Sequence, residues 1–370
     1  MSVGSALVAG NDPLPSLAER ALARALEKTG ERQANGVLLF LTAEYSRHAQ
    51  QTVTAVARAA RCTQVAGGVA AGVFTDSGWV IDRPAAAVMV LAGGIALGPA
   101  DTSEACGEPL LGYTDSHFPA AWAGGARKYF GGSFTGAAGL VEPLAWQQSR
   151  LAAHCRVQLL GTQVAVDVSL GWRLLGGAQT VESSKAYALL ALGGCEAHES
   201  LSRALREAGH SGWPPASALC AVLINSGAEA SASFAGGRSH PIAILDIGRH
   251  GAVTLAERVT AGQRLAWAIR LPRAAEEDMC QCVARLATVA PDPLAGVVFS
   301  CIGRGPFFHD GEDRDVECLR ERFPCLPLIG TYGTGQIAPN AAGGNLLLQN
   351  AVVTALLNQP AGSADVQSEP

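Results

Sequence analysis

The stretch "LPLIGTYGTGQIAP", residues 326–339, decides how this chain folds. Leu328 and Ile329 read as the middle of a buried strand. The run then breaks into Gly330, Gly333 and Gly335 before it meets Pro339 and Asn340. The order G-x-x-G-x-G is not the dinucleotide order G-x-G-x-x-G, and Pro339 leaves no helix N-terminus to receive a phosphate. The glycines therefore read as a backbone bend that permits close approach, either of a ligand or of another chain segment.

Upstream, "AGVVFSCIGRG" (295–305) is an apolar strand with a polar end. "DGEDRDVECLRERF" (310–323) has acids at its start, Arg320 and Arg322 at its end, and Val316, Leu319 and Phe323 on one face, which predicts a helix. The same order stands near the N-terminus. "GVLLFLTAEYS" (36–46) is a strand, "SRHAQQTVTAVARAAR" (46–61) a helix capped by Ser46, and "TQVAGGVAAGVF" (63–74) a strand breaking into glycines. Setting Gly67 against Gly330 places Gly72 against Gly335. The pattern predicts an internal duplication of a β-α-β unit and two related domains facing one another.

Residues 15–30 predict a helix capped by Ser16 and ended by Gly30. Further helices are expected at 196–208, 274–288 and 345–357. The segments between, such as "AAAVMVLAG" and "SALCAVLIN", read as strands separated by turns. The fold class is α/β, with mixed β-sheets flanked by helices.

Only 16% of the 370 residues are charged and 48% are apolar, which is the composition of a packed globular protein. A net charge of −5 argues against a nucleic-acid partner. The run 84–100 is broken by glycine and flanked by proline, so a buried strand is expected rather than membrane insertion. "MSVGSALVAGNDP" has no basic flank, so ten cysteines read as reduced thiols and the expected location is cytoplasmic.

Four motifs in order resemble the FIST family: "VLLFLTAEYS" with "VAGGVAAG", the mid-chain "VSLGWRLLGGAQTVESSKAYALLALGG" (168–194), "VVFSCIGRG" (297–305) and "PLIGTYGTGQIAP" (327–339). The resemblance covers roughly residues 35–340. The residues themselves suggest an N-terminal helix and lead-in at 1–34 and a disordered Pro/Ser/Gly-containing tail at 359–370. The resemblance implies a FIST N-like domain at 35–200 and a FIST C-like domain at 201–358. It also implies a sensory module in signal transduction that binds small ligands such as amino acids. Such a module needs a responder, so a separate signalling partner protein is expected. The family commonly carries Glu after the last glycine of the turn. Gln336 stands there in the second copy and Val73 in the first, which removes a carboxylate that would face an ammonium group.

The expected ligand site lies at the strand-end loops, where open α/β sheets bind ligands. Cys301, Arg304, Gly330, Tyr332, Gly333, Gly335 and Gln336 line it from the second copy, and Ala43, Glu44, Gly67 and Gly68 a quasi-equivalent face from the first. Arg304 can clamp a small carboxylate through its planar fork. Its structural alternative is to pair with acids near Glu312 and Asp313. Cys301 as a nucleophile with His309 as base, acting on a thioester or amide, is the enzymatic alternative. A protein-interaction scaffold with no small-molecule site is the other. Cys280 and Cys282 lie on different faces of a predicted helix and "HDGEDRD" lacks the register of a calcium loop, so no metal and no cofactor are expected.

Overall fold

The computed structural model describes residues 2–100, 107–114, 117–134, 144–224, 239–248, 251–340 and 343–360. The chain forms two compact units. One comprises Met1–Leu170, Met279–Pro339 and Gly343–Pro370, the other Gly171–Asp278 and Asn340–Ala342.

The first unit passes through one order of elements three times. The first round is β1 (Ser2–Ala9), α1 (Pro15–Thr29), β2 (Gly36–Thr42), α2 (Ala49–Ala60), β3 (Val65–Ala70), β4 (Gly72–Thr75), β5 (Gly78–Ile81) and β6 (Ala85–Ala92). The second is β7 (Ala96–Pro99), β8 (Leu110–Thr114), the short α3 (Ala120–Gly124), β9 (Tyr129–Ser133), β10 (Ala145–Gln147), β11 (Arg150–Ala152) and β12 (His154–Leu160). The third opens with β13 (Gln163–Ser169) and is interrupted by the second unit. That unit holds β14 (Arg173–Leu174), β15 (Gln179–Lys185), β16 (Ala188–Leu192), β17 (Cys195–Glu196), α4 (Ala197–Glu207), β18 (Leu219–Ile224), β19 (Ser239–Ile247), β20 (Val253–Leu255) and β21 (Arg264–Ile269). Helix α5 (Pro272–Val289) brings the chain back. The third round then closes with β22 (Ala295–Cys301), α6 (Arg314–Arg322), β23 (Leu328–Gly333), β24 (Gly335–Pro339), β25 (Asn345–Leu348) and β26 (Val352–Asn358).

Pairing is the same in every round. The strands flanking the middle helix run parallel: β2 with β3, β8 with β9, β22 with β23. The next hairpin crosses into another round's sheet, β4 onto β23, β10 onto β3 and β24 onto β9, all antiparallel. The last strand returns beside β2, β8 or β22. Three six-stranded sheets of matching order result among the described residues.

Where the three parallel pairs meet, Phe40, Tyr113 and Phe299 occupy the same register position and pack ring against ring. Their centroids are 5.6, 5.8 and 6.2 Å apart. Glycine makes this possible: a Cβ on Gly68 would fall 2.2 Å from the Tyr113 ring, and one on Gly132 2.7 Å from Phe299. Leu38, Leu39, Val88, Trp146, Val297 and Val353 surround this junction and are buried. The second unit has its own core, in which Leu201 and Leu205 of α4 pack with Leu189, Leu192 and Trp267 of its sheet.

Both β-α-β segments, 36–74 and 295–337, thus have one strand pairing, but they lie in one unit instead of facing each other as two domains. The reason is the crossing hairpin. β4 completes the sheet of the other segment, so neither sheet is whole without both. The two units are interleaved in sequence, the first holding residues on both sides of the second.

Other expectations shift locally. Residues 345–357 form β25 and β26, not a helix. Asn350 turns the chain at φ 56°, and β26 lies between β13 and β22 with a near-continuous apolar face on both sides, a pattern that periodicity alone does not separate from a buried helix. The N-terminal lead-in begins with a strand, β1, zipped along β6. α1 starts with Pro15 at its first position and no side-chain cap from Ser16, and it ends at Gly30 with φ 70° as expected. Ser46 hydrogen-bonds the Ala43 carbonyl, and α2 begins three residues later. Not all cysteines are free: Cys280 on α5 and Cys318 on α6 form a disulfide, their Cα atoms 5.5 Å apart. The expected tail at 359–370 lies outside the described residues from 361 onward.

Candidate functional site at the first turn of α6

Helix α6 begins at Arg314 because Asp313 caps it, its carboxylate accepting from the Val316 amide at 3.1 Å. Asp313, Val316, Glu317 and Arg320 recur at i, i+3, i+4 and i+7, so they share one helix face. That face looks onto β23 and the β4–β5 hairpin, where Phe74, Trp79 and Tyr332 stand. Between them is an open pocket of about 110 Å³. It lies beside the sheet, between α6 and the β4–β5 hairpin, with Tyr332 near the carboxyl end of β23.

Tyr332 is fully buried, and its hydroxyl donates to Asp313. Asp313 is itself 6% exposed. Burial, reinforced by the neighbouring Asp315, pushes its carboxyl up to about 6 against the opposing pull of the Tyr332 and Val316 hydrogen bonds and of His309. Burial and the Asp313 charge likewise push the Tyr332 hydroxyl well above its ordinary value. Glu312 and Glu317 are both ion-paired to Arg314, at 2.8 and 2.9 Å. Arg320 Nη2 donates to the Thr75 carbonyl at 3.2 Å, while its Nε has no hydrogen-bond partner among the described residues. Trp79 at the rim meets the exposed Phe307 edge to face, 6.1 Å between centroids.

Behind the pocket lies a second layer. Arg304, 0% exposed, grips Asp315 through two parallel bonds of 3.0 and 2.9 Å. It also donates to the carbonyl and hydroxyl of Ser169 at 3.0 and 2.7 Å. His309 Nε2 stands 3.7 Å from Asp315. The guanidinium thus fixes the loop 302–313 to α6 and β13. Its structural alternative is the one realised, with Asp315 as the partner.

Of the residues expected to bind ligand, Tyr332 lines this pocket. Cys301, Arg304, Gly330, Gly333, Gly335, Gln336, Ala43, Glu44, Gly67 and Gly68 are not among its lining residues. The glycines make room for protein. A Cβ on Gly330 would fall 2.1 Å from the Phe74 ring, on Gly333 2.5 Å from the Ser133 carbonyl, and on Gly335 2.7 Å from Leu347. Gly67, at φ 150°, would place one 1.9 Å from the Leu39 carbonyl. Gln336 is fully buried, and its side-chain oxygen accepts from the Ala351 amide at 3.4 Å. Ala43 and the exposed Glu44 lie in the short 3₁₀ turn after β2. Cys301 is 6% exposed with its Sγ 4.0 Å from Asn350 Oδ1, whereas His309 faces Asp315. What sequence reasoning missed is Trp79 and Phe74, which arrive from a hairpin some 240 residues upstream through the β4–β23 pairing. In the sequence alone, Val316, Leu319 and Phe323 read as the helix face, Arg320 as dipole complement and Asp313 as the alternative partner of Arg304, while nothing singles out Glu317.

Residues 197–339 match the FIST C domain. FIST C domains are associated with sensing in signal transduction. The match includes β22, α6 and β23, and so the helix face and the tyrosine of the pocket, while Phe74 and Trp79 lie outside it. An uncharacterized protein of Mycobacterium tuberculosis is 33% identical over 98 residues, 26% of this chain and 25% of that protein. One of Mycobacterium bovis is 32% identical over the same length. The chain thus spans about a quarter of the length of these curated relatives. No described helix is long and apolar enough to cross a membrane.

Proposed function

We propose that this protein is a small-ligand-binding sensory or adaptor protein in intracellular signal transduction, cytoplasmic, acting through a separate partner protein. The FIST C match supports the sensory class. The observation that carries the ligand site is the pocket between α6 and the β4–β5 hairpin, where a buried carboxyl, a buried phenol and an indole converge. Such convergence of apolar walls with a few placed polar groups is what small-molecule sites present. The FIST N-like domain at 35–200 is part of this reading, and the common strand pairing of the three rounds supports a repeated β-α-β unit, in three copies rather than two. The cysteine-enzyme reading has no such support, since the Cys301 thiol is buried with its Sγ 4.0 Å from Asn350 Oδ1, and among the described residues no hydrogen bond joins it to His309.

Screening amino acids, small carboxylates and small amines by thermal shift tests the reading. A specific binder raises the melting temperature of the wild type, and Trp79→Ala abolishes the rise. A screen in which no compound shifts the wild type, or in which Trp79→Ala responds equally, overturns it.

A further inference from the structure

Resting on that pocket as the ligand site, we infer that it takes a small organic cation: a primary or methylated ammonium headgroup set between Asp313 and the Trp79 indole. Charge counting favours a cation. Glu312 and Glu317 share one guanidinium, that of Arg314, and so leave one negative charge over. Asp313 adds a second at neutral pH, against one positive charge from Arg320. Behind the wall, Arg304 and Asp315 cancel each other. The balance at the pocket is therefore negative. An anion drawn to the free Nε of Arg320 would have to sit beside three carboxylates.

Local chemistry agrees with the count. Asp313 accepts from Val316 and Tyr332, two donors that carry no formal charge, so its carboxylate is buried without a cation of its own. An ammonium group supplies that counter-charge through a charge-assisted hydrogen bond. Phe74 and Tyr332, buried against each other, form the apolar floor, and Trp79, half-buried at the rim, is the aromatic side chain placed to meet a positive charge. The volume of about 110 Å³ holds about four water molecules. That suits a headgroup of a few heavy atoms, with any larger remainder projecting past Phe307.

Binding is also tied to protons. The groups facing Asp313 are Asp315, Glu317 and Arg320 of α6, Glu312 and His309 of the preceding loop, Arg304 behind them, and Tyr332 of β23. A cation binds the ionised Asp313, so affinity rises as pH increases through about 6 and then levels off. An anion held by Arg320 shows the opposite trend.

The experiment titrates the full-length protein with methylammonium, tetramethylammonium and choline chlorides at constant ionic strength, with sodium chloride, acetate and phosphate as counter-arms. Trp79 fluorescence and calorimetry are the readouts, and Trp79→Phe identifies the signal of that indole among six tryptophans. At least one ammonium probe is expected to bind, about tenfold or more weakly in Asp313→Asn, and more tightly at pH 7.5 than at pH 5. Asn retains the helix cap, and a single cooperative unfolding transition of the variant, well above the assay temperature at both pH values, separates lost binding from lost fold. Binding of acetate or phosphate at this pocket in place of the ammonium probes overturns the inference while leaving the pocket a ligand site. Silence of every probe at Trp79, if the screen finds binders of other chemistry there, also overturns the inference alone. Silence in both experiments removes the ligand site as well.

Discussion

Replacing Asp313 with Asn separates the cost of a buried charge from the benefit of a helix cap. In the folded protein the Asp313 carboxyl ionises near 6, against 3.8 when unperturbed. The folded chain therefore holds this proton more tightly than the unfolded chain does. The sign follows: stability from this group is fully present below about pH 4 and is lost as pH rises through 6. Two pKa units at about 1.4 kcal/mol each set the whole span at about 3 kcal/mol. Asn is a good cap and carries no charge, so its contribution is flat over the same window. Urea unfolding of both proteins at half-unit steps from pH 4 to pH 7 measures the difference, and acid-labile groups elsewhere cancel in it. The wild type is expected to lose about 2.5 kcal/mol of that span relative to Asp313→Asn from pH 4 to pH 7, with most of the change below pH 6. A constant difference would refute the reasoning. A difference of opposite slope would show that Asp313 behaves as an ordinary capping carboxylate held down by the helix dipole.

Arg304→Met strands the Asp315 carboxylate, 1% exposed, and removes the ties to Ser169. Urea unfolding at pH 7 should show a loss of about 3–5 kcal/mol, and a loss below about 1 kcal/mol would contradict the buried pair. The Cys280–Cys318 bridge closes a separation of 38 residues, for which chain entropy gives about 4 kcal/mol. Reductant should lower the melting temperature of the wild type and not that of Cys280→Ser, and thiol titration of the unreduced, denatured chain should find two fewer than the ten cysteines.

How far the sequence reveals this fold depends on the range of the interactions. Helices α1, α2 and α6 carry their own periodicity and end signals, and the apolar runs of β2 and β22 end in polar residues ahead of a helix, so these elements are legible where they stand. The strand β26 was not, because burial on both faces erases the alternation that identifies a half-exposed strand. The middle β-α-β round escaped notice for a related reason: α3 spans only Ala120–Gly124 and shows too little of a helical period to announce itself. The glycines show the sharper limit. Their spacing correctly announced close approach, but spacing does not name what approaches. At Gly68 and Gly330 the answer is an aromatic ring, from Tyr113 and from Phe74. Neither ring is close in sequence to the glycine that admits it.

The same limit explains the site. Arg304 and Tyr332 were both read as ligand contacts because each stands at a strand end, yet only one faces the pocket. Arg304 meets Asp315, eleven residues on, and is sealed by Ser169 from β13, a contact made across 135 residues. Tyr332 meets Asp313 and opens toward Trp79, which β4 delivers from the first round. The crossing hairpin therefore does two things at once. It completes the third sheet, and it places an indole over the first turn of α6, so an isolated segment of 197–339 would keep the acids and Tyr332 and lose Phe74 and Trp79. A pocket assembled this way keeps its shape only while the first and third rounds remain interlocked. On the proposed reading, occupancy would thereby be coupled to the integrity of the whole first unit rather than to one loop.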